Sequence, residues 1–104
     1  MKQNRVLSML GLAAKGRNVV SGEQQTLAAV KDGSAMLVIV AEDATENTKK
    51  LFSDKCSFYQ VPRGIYGTRE ELGHAIGKGI RSSLAVTDEG LARVLKGYLE
   101  SENG

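Results

Sequence analysis

The sequence predicts an α/β protein, a three-layer α/β/α sandwich around a central mixed sheet of about four strands. The continuously apolar segment Met36–Ala41 lacks alternation, which is typical of a strand buried on both faces. Short apolar segments also alternate with amphipathic segments of about ten residues, which indicates helices that cover both sides of a sheet. The 104 residues contain no linker, repeat or low-complexity stretch, so they predict a single domain.

The first third of the chain predicts two helices separated by a short strand. Helix one, from about Gln3 to Ala14, has an apolar stripe and ends at Lys15-Gly16, a cation followed by a glycine stop. The β-branched pair Val19-Val20 predicts an edge strand before the break at Ser21-Gly22. Helix two follows from Gly22 to Lys31. Its predicted buried face consists of Thr26, Leu27 and Val30.

The middle of the chain predicts a helix, a strand and a loop. Thr45 is a suitable cap for helix three. Phe58–Val61 predicts a short strand that Pro62 ends, and Arg63–Gly67 then predicts a loop. The predicted inward stripe of helix three consists of Thr48, Leu51, Phe52 and Cys56.

The last third predicts helix four, a buried strand and a final helix. Thr68 and Glu71 have capping-box spacing, and Gly77–Gly79 ends that helix. Ser83–Val86 predicts the strand, and Asp88 is the cap of the last helix. Its predicted apolar face consists of Leu91, Val94, Leu95 and Tyr98. Residues 1–100 are therefore expected to form the domain, and 101–104 a disordered tail.

The composition indicates an ordinary soluble protein, with 41% hydrophobic and 25% charged residues and a net charge of +2. One cysteine and one histidine exclude an internal disulfide and predict neither metal nor cofactor. No apolar run reaches membrane-spanning length, and no signal-peptide pattern is visible. We expect a cytoplasmic monomer without a membrane partner.

No group of residues indicates catalysis, and we predict that the protein is not an enzyme. Cys56 lies on a predicted buried stripe, and His74 on an exposed helix side. Glu42-Asp43 follows a buried strand, where ligand sites of α/β proteins form, but it equally fits a strand-to-helix turn. The Gly73–Gly79 segment lacks the spacing of a triphosphate-binding loop.

Two segments have the chemistry of RNA contacts. In the first, Lys15 and Arg17 precede Gly22, where a glycine and the free N–H groups of a helix start can bind a phosphate. No acidic residue precedes Glu23, although a mixed solvated surface explains the charges equally well. In the second, Lys78–Ser82 combines two cations, flexible backbone and one apolar side chain, a mixture suited to non-helical RNA. A plain helix end followed by a connector is the alternative.

Several motifs, in order along nearly the whole chain, resemble ribosomal proteins of the L7Ae/L30e family, and the small bacterial members most closely. They are Gly22–Gly33, Met36–Asp43, Tyr59–Pro62, Glu71–Gly73, Ile76–Lys78 and Ala85–Asp88. The resemblance implies an α/β/α sandwich that binds kink-turn RNA, a sharply bent internal loop with sheared G·A pairs. It also implies a ribosome-associated, non-catalytic role.

The resemblance further implies which residues contact RNA. The family's helix-two motif Gly-x-Asn-Glu-x-x-Lys falls on Gly22, Gln24, Gln25 and Ala28, so the glutamate and lysine positions differ. Losing one charge-assisted contact costs about 1.5–3 kcal/mol, which predicts weaker kink-turn binding. The predicted RNA-binding residues are Lys15, Arg17, Gly22, Glu23, Gln24, Gln25, Lys78, Gly79, Ile80, Arg81 and Ser82. Two alternatives stay open: a protein-interaction module that has lost RNA contact, and an RNA-recruiting partner of an RNA-modifying enzyme.

Overall fold

A computed structural model describes residues 4–103 and confirms an α/β fold with a four-stranded mixed sheet. The elements are α1 (Arg5–Lys15), β1 (Val19–Ser21), α2 (Glu23–Asp32), β2 (Leu37–Val40), α3 (Glu46–Tyr59), β3 (Arg63–Ile65), α4 (Arg69–Ala75), β4 (Ser83–Val86) and α5 (Glu89–Asn103). Gln3, the predicted start of helix one, and Gly104 lie outside the described residues. No helix within residues 4–103 is both long and apolar enough to cross a membrane.

The strands are arranged in the spatial order β1-β4-β2-β3. β4 lies between β1 and β2 and pairs antiparallel with both, whereas β2 and β3 run parallel. Helices α2 and α3 pack together on one side, and α1 contacts α4 and α5 on the other. Because helices cover both faces, every residue of β2 and β4 is buried, as the unbroken apolar runs predict.

The core draws side chains from all three layers. Fully burying one aliphatic side chain contributes about 1.5–3 kcal/mol relative to leaving it exposed. The largest fully buried side chains are Val6, Leu10, Val30, Leu37, Val38, Ile39, Val40, Phe52, Leu72, Leu84, Val86 and Leu95.

The predicted helix caps form hydrogen bonds in the structure. Thr45 Oγ1 accepts from Thr48 N, and Thr68 and Glu71 form the reciprocal capping box. Asp88 Oδ2 accepts from Leu91 N at 2.9 Å. These local bonds are predictable because both partners lie within one helical turn.

The predicted strand at Phe58–Val61 and the predicted loop at Arg63–Gly67 were wrong. Helix α3 continues through Tyr59 and ends at Gln60, which has a left-handed φ of 58°. Residues Arg63–Ile65 instead form β3 and pair with Val38–Val40 of β2. Arg63 and Ile65 are exposed, so the segment lacks an apolar strand pattern, and its pairing partner lies far away in sequence.

The apolar faces of α2 and α5 also differ in detail from the prediction. Thr26 is buried as predicted, but Leu27 is only half-buried. Val94 is 41% exposed, whereas Leu95 is buried as predicted and Ala92 and Leu99 are buried with it. The helix continues through Asn103, three residues into the predicted tail, because Leu99 packs its last turns against β3. A Cβ at Gly64 of β3 would lie 2.9 Å from Leu99 Cδ1.

Two phenylalanines on α3 test this core. We expect Phe52→Ala to lower the free energy of unfolding by about 3–5 kcal/mol, because it leaves a cavity. Phe58 is 77% exposed, so Phe58→Ala is expected to cost less than about 0.5 kcal/mol. Urea denaturation followed by circular dichroism measures both. Equal losses would contradict the burial pattern of α3.

Candidate nucleic-acid interface

The pairing of β1 with β4 brings the two predicted RNA-contacting segments together. Ser21, the last residue of β1, pairs with Leu84. The next residue, Gly22, donates its N–H to Ser83 O at 3.0 Å. The start of α2 and the loop that leads into β4 therefore meet at one edge of the sheet, although about 60 residues separate them in sequence. We call the loop of residues 77–82 the β4-entry loop.

Gly22 is the N-cap of α2 and has a backbone that requires glycine. Its φ of 91° and ψ of 155° lie in a region that other residues occupy only at a cost of about 1–3 kcal/mol. A Cβ at this position would meet no atom within 4 Å, so the space beside the backbone is open. Among the described residues no side chain caps this helix start, so its first amides lack a side-chain acceptor.

Three polar side chains follow Gly22 on the first turn of α2. Gln24 and Gln25 are exposed, and their amide groups can both donate and accept hydrogen bonds. Glu23 Oε1 accepts from Thr48 Oγ1 at 3.4 Å, which links the starts of α2 and α3. The next residue, Thr26, is fully buried, so the helix turns its polar side outward here.

Arg17 occupies a position that glycine usually takes. Arg17 N donates to Ala14 O at 3.0 Å and Asn18 N to Ala13 O at 2.8 Å, the pair of bonds that ends a helix in a Schellman motif. The residue in the left-handed conformation is Arg17, with φ 61°, and not the predicted stop Gly16, whose φ is −84°. A non-glycine residue there costs about 1–2 kcal/mol.

Arg17 and Lys78 line the same pocket of about 310 Å³ between the end of α1 and the β4-entry loop. Lys15 is exposed in the last turn of α1 but does not line it. Cations that are far apart in the sequence thus line one pocket, which Ser21 also lines directly before α2. The complete lining is Ala14, Arg17, Val19, Ser21, Ile76, Gly77 and Lys78.

The β4-entry loop is packed directly onto α4. Lys78 N donates to Gly73 O at 2.8 Å, and Arg81 N donates to Arg69 O at 3.1 Å. A Cβ at Gly73 would lie 1.7 Å from Gly79 O, so only glycine permits this approach. No sequence pattern indicates this role of Gly73, because a close contact between two backbone segments leaves no local signature.

Residues 77–80 of the β4-entry loop are exposed and mixed in character, whereas residues 81 and 82 are half-buried. Gly79 is exposed, and 62% of the Ile80 side chain is accessible. Ser82 is half-buried and accepts at its carbonyl from Ala41 N at 2.9 Å. Arg81 is half-buried, and its Nε donates to Ser21 Oγ at 3.0 Å. No sequence pattern indicates Ser21 as a partner of this loop, because about 60 residues separate the two.

The acidic pair after β2 organises a turn. Glu42 Oε2 accepts from Gly67 N at 3.1 Å, and Asp43 Oδ1 accepts from Arg69 N at 2.8 Å. The Arg69 N–H is the main reason why the pKa of Asp43 lies below its ordinary value. Both carboxylates therefore hold the start of α4 beside β2, which favours the turn interpretation.

The two remaining candidates for chemistry are Cys56 and His74. Cys56 is buried, as predicted, and burial raises the pKa of its thiol although Arg63 opposes the shift. A raised pKa disfavours the reactive thiolate. His74 is exposed, also as predicted. Within the described residues, no group of three potential ligands is arranged to hold a metal ion.

The fold and this edge define an α/β/α domain with a polar, cation-flanked candidate binding surface. The model of the Ribosomal protein L7Ae/L30e/S12e/Gadd45 family matches residues 4–96, and the chain belongs to that family.

Individual relatives support the assignment. The chain is 44% identical over 92 residues to the RNA-binding protein YlxQ of Bacillus subtilis, covering 88% of this chain and 92% of that protein. This confirms the likeness to small bacterial members of the family. A structure of a protein with unknown function from Bacillus halodurans C superposes with a TM-score of 0.91 at 43% identity, covering 94% of this chain and 99% of that one.

The same fold occurs at lower sequence identity. The Giardia lamblia 15.5kD RNA binding protein superposes with a TM-score of 0.79 at 20% identity, over 97% of this chain and 92% of that one. At this identity the comparison concerns the fold alone.

Gly73 offers a test of how the β4-entry loop is held. We expect Gly73→Ala to lower the free energy of unfolding by about 1–3 kcal/mol, because the new methyl group forces the loop off α4. The matched control is Gly97→Ala in α5, where a Cβ meets nothing within 4 Å and stability should rise by about 0.5–1 kcal/mol. Thermal and urea denaturation measure both; tolerance of alanine at position 73 would contradict the contact.

Proposed function

We propose that this protein binds structured RNA of the kink-turn type, without catalysis, through the start of α2 and the β4-entry loop. One observation carries the proposal. Two segments with the chemistry of RNA contacts, widely separated in sequence, meet at one edge of the sheet, where Gly22 N donates to Ser83 O. A sharply bent RNA offers two surfaces close together, which a split site of this kind can contact at the same time.

The exposed groups supply the contacts that such an RNA needs. Gln24 and Gln25 present amides for base edges in the bent groove. Ile80 offers an apolar surface for an unstacked base, and Arg17 and Lys78 offer cations for phosphates. The open space beside Gly22 allows the RNA backbone to approach the helix amides.

Family membership supports the same function. The Bacillus subtilis relative carries the name RNA-binding protein, and the family description names ribosomal proteins. We therefore propose association with ribosomal or another structured RNA, in the cytoplasm and as a monomer. Size-exclusion chromatography with light scattering tests the monomer.

A second function is favoured by Ala28, which is exposed on α2 at the family's lysine position. With Gln25 at the glutamate position, the domain has fewer charged groups for RNA and would serve as a protein-interaction module. In that case the natural chain binds kinked RNA weakly, and Gln25→Glu combined with Ala28→Lys creates affinity that it lacks.

The decisive experiment is a calorimetric titration of the purified protein with a kink-turn duplex and with a straight duplex of matched length and composition, at physiological salt. The proposal expects clearly tighter binding to the kinked RNA. Equal, weak binding to both would exclude specific recognition and favour the second function.

Lys78 tests the electrostatic part of the interface. We expect Lys78→Ala to weaken binding and to reduce the slope of log K against log salt by about one, as for the loss of one phosphate contact. Lys96→Ala, an exposed lysine on α5, is the control that should leave the slope unchanged. The same slope for the Lys78 variant and the natural chain would remove Lys78 from the interface.

Arg17 allows function to be separated from stability. Glycine adopts φ 61° without steric cost, so Arg17→Gly should leave the free energy of unfolding unchanged or raise it by up to about 1 kcal/mol. RNA binding should nevertheless weaken, because a cation beside the pocket is lost. Denaturation and titration of the same sample measure the two effects.

Gln60→Gly is the matched control for Arg17→Gly, since Gln60 has φ 58° at the end of α3. It should change stability in the same way and leave RNA binding intact. Undiminished RNA binding by the Arg17 variant would show that this cation serves another purpose.

A further inference from the structure

We infer that Arg81 is a positioning residue that fastens the β4-entry loop to β1 and so sets the distance between the two RNA-contacting segments. The inference rests on the proposed function. It assigns Arg81 a role different from the phosphate contact that its charge suggests. It also gives Ser21, a residue outside the predicted contact set, a part in RNA specificity.

Three hydrogen bonds place Arg81 at the junction of three elements. Its backbone N donates to Arg69 O of α4 at 3.1 Å. Its Nε donates to Ser21 Oγ of β1 at 3.0 Å, and its Nη1 donates to Ile80 O of its own loop at 3.0 Å. The side chain of Arg81 therefore joins Ser21, at the end of β1, to Ile80 in the β4-entry loop.

The guanidinium group is suited to this task, and an ammonium group is not. Arginine presents its donors in a rigid planar fork, so Nε and Nη1 can bind two acceptors in fixed directions at once. Lysine carries the same charge but has no such fork. Arg81 is also half-buried, whereas Lys78 in the same loop is exposed. The two cations of the loop therefore differ in their access to solvent.

The position of Ser21 in the chain explains why its hydrogen bond with Arg81 affects both RNA-contacting segments. Ser21 directly precedes Gly22, and Ile80 directly precedes Arg81, so the bond links the start of α2 to the exposed apolar group of the loop. Holding both segments in place before RNA arrives removes an ordering cost from binding. A kinked RNA that touches both segments gains from this, and a straight RNA that touches one does not.

The test compares Arg81→Lys and Ser21→Ala with the natural chain, using the kinked and straight duplexes over a range of salt concentrations. Each variant should weaken binding to the kinked duplex about 3- to 10-fold, the equivalent of the net contribution of one typical hydrogen bond. The salt slope and the binding of the straight duplex should not change. Ser21→Thr keeps the hydroxyl group and should restore affinity.

The double variant and the controls complete the design. If Arg81 and Ser21 act through the one hydrogen bond between them, the variant with both Arg81→Lys and Ser21→Ala should bind the kinked duplex no more weakly than the single variant with the lower affinity. Arg93→Lys on the exposed face of α5 and Ser57→Ala on α3 are the matched controls and should have no effect.

The outcomes separate this inference from the proposed function. Full affinity of Arg81→Lys, with a slope that falls by about one in Arg81→Ala, would make Arg81 a phosphate contact and overturn the positioning role. Additive effects in the double variant would also overturn it. Equal binding of both duplexes by the natural chain would instead refute the proposed function itself.

Discussion

The antiparallel pairing of β1 with β4 is the constraint on which the rest of the molecule depends. β1 is only three residues long and half-buried, whereas β4 is completely buried between helices on both faces. The short strand is therefore held by a rigid neighbour. Because its register fixes Ser21 opposite Leu84, the residues after one strand and before the other must meet at the same edge. The location of the candidate binding surface follows from this register.

Unusual backbone geometry near this edge is occupied by glycine at two positions and by a non-glycine residue at a third. Gly22 and Gly73 are glycines because a side chain would strain one position and collide with backbone at the other. Arg17 instead has a left-handed backbone without being glycine, one residue after a glycine with ordinary φ. A local steric cost retained next to a pocket is typical of positions where the side chain has a function.

Sequence patterns predicted what short-range chemistry determines. The buried strands β2 and β4 and the caps at Thr45, Thr68 and Asp88 were recognisable because an apolar run or a spacing of three residues specifies them. β3 was missed because Arg63–Ile65 is stabilised by pairing with β2 and not by its own composition.

The candidate site shows the same division. Residue chemistry and the resemblance together predicted both segments, from residues 15 to 25 and 78 to 82, but their contact depends on the order of strands in the sheet. Neither the left-handed conformation of Arg17 nor the bond between Arg81 and Ser21 has a local signature, since the first depends on helix-end geometry and the second on the β1–β4 register. Neither was therefore visible before the fold was known.

The lengths of the outer strands have a consequence for behaviour at high concentration. β1 and β3 form the two borders of the sheet, and each has three residues. Borders this short offer few unpaired N–H and C=O groups to a strand of another molecule, and β3 adds a charged side chain at Arg63. The sheet is thus a poor template for strand-by-strand growth into fibrils, so the apolar strands at its centre add to stability without promoting aggregation.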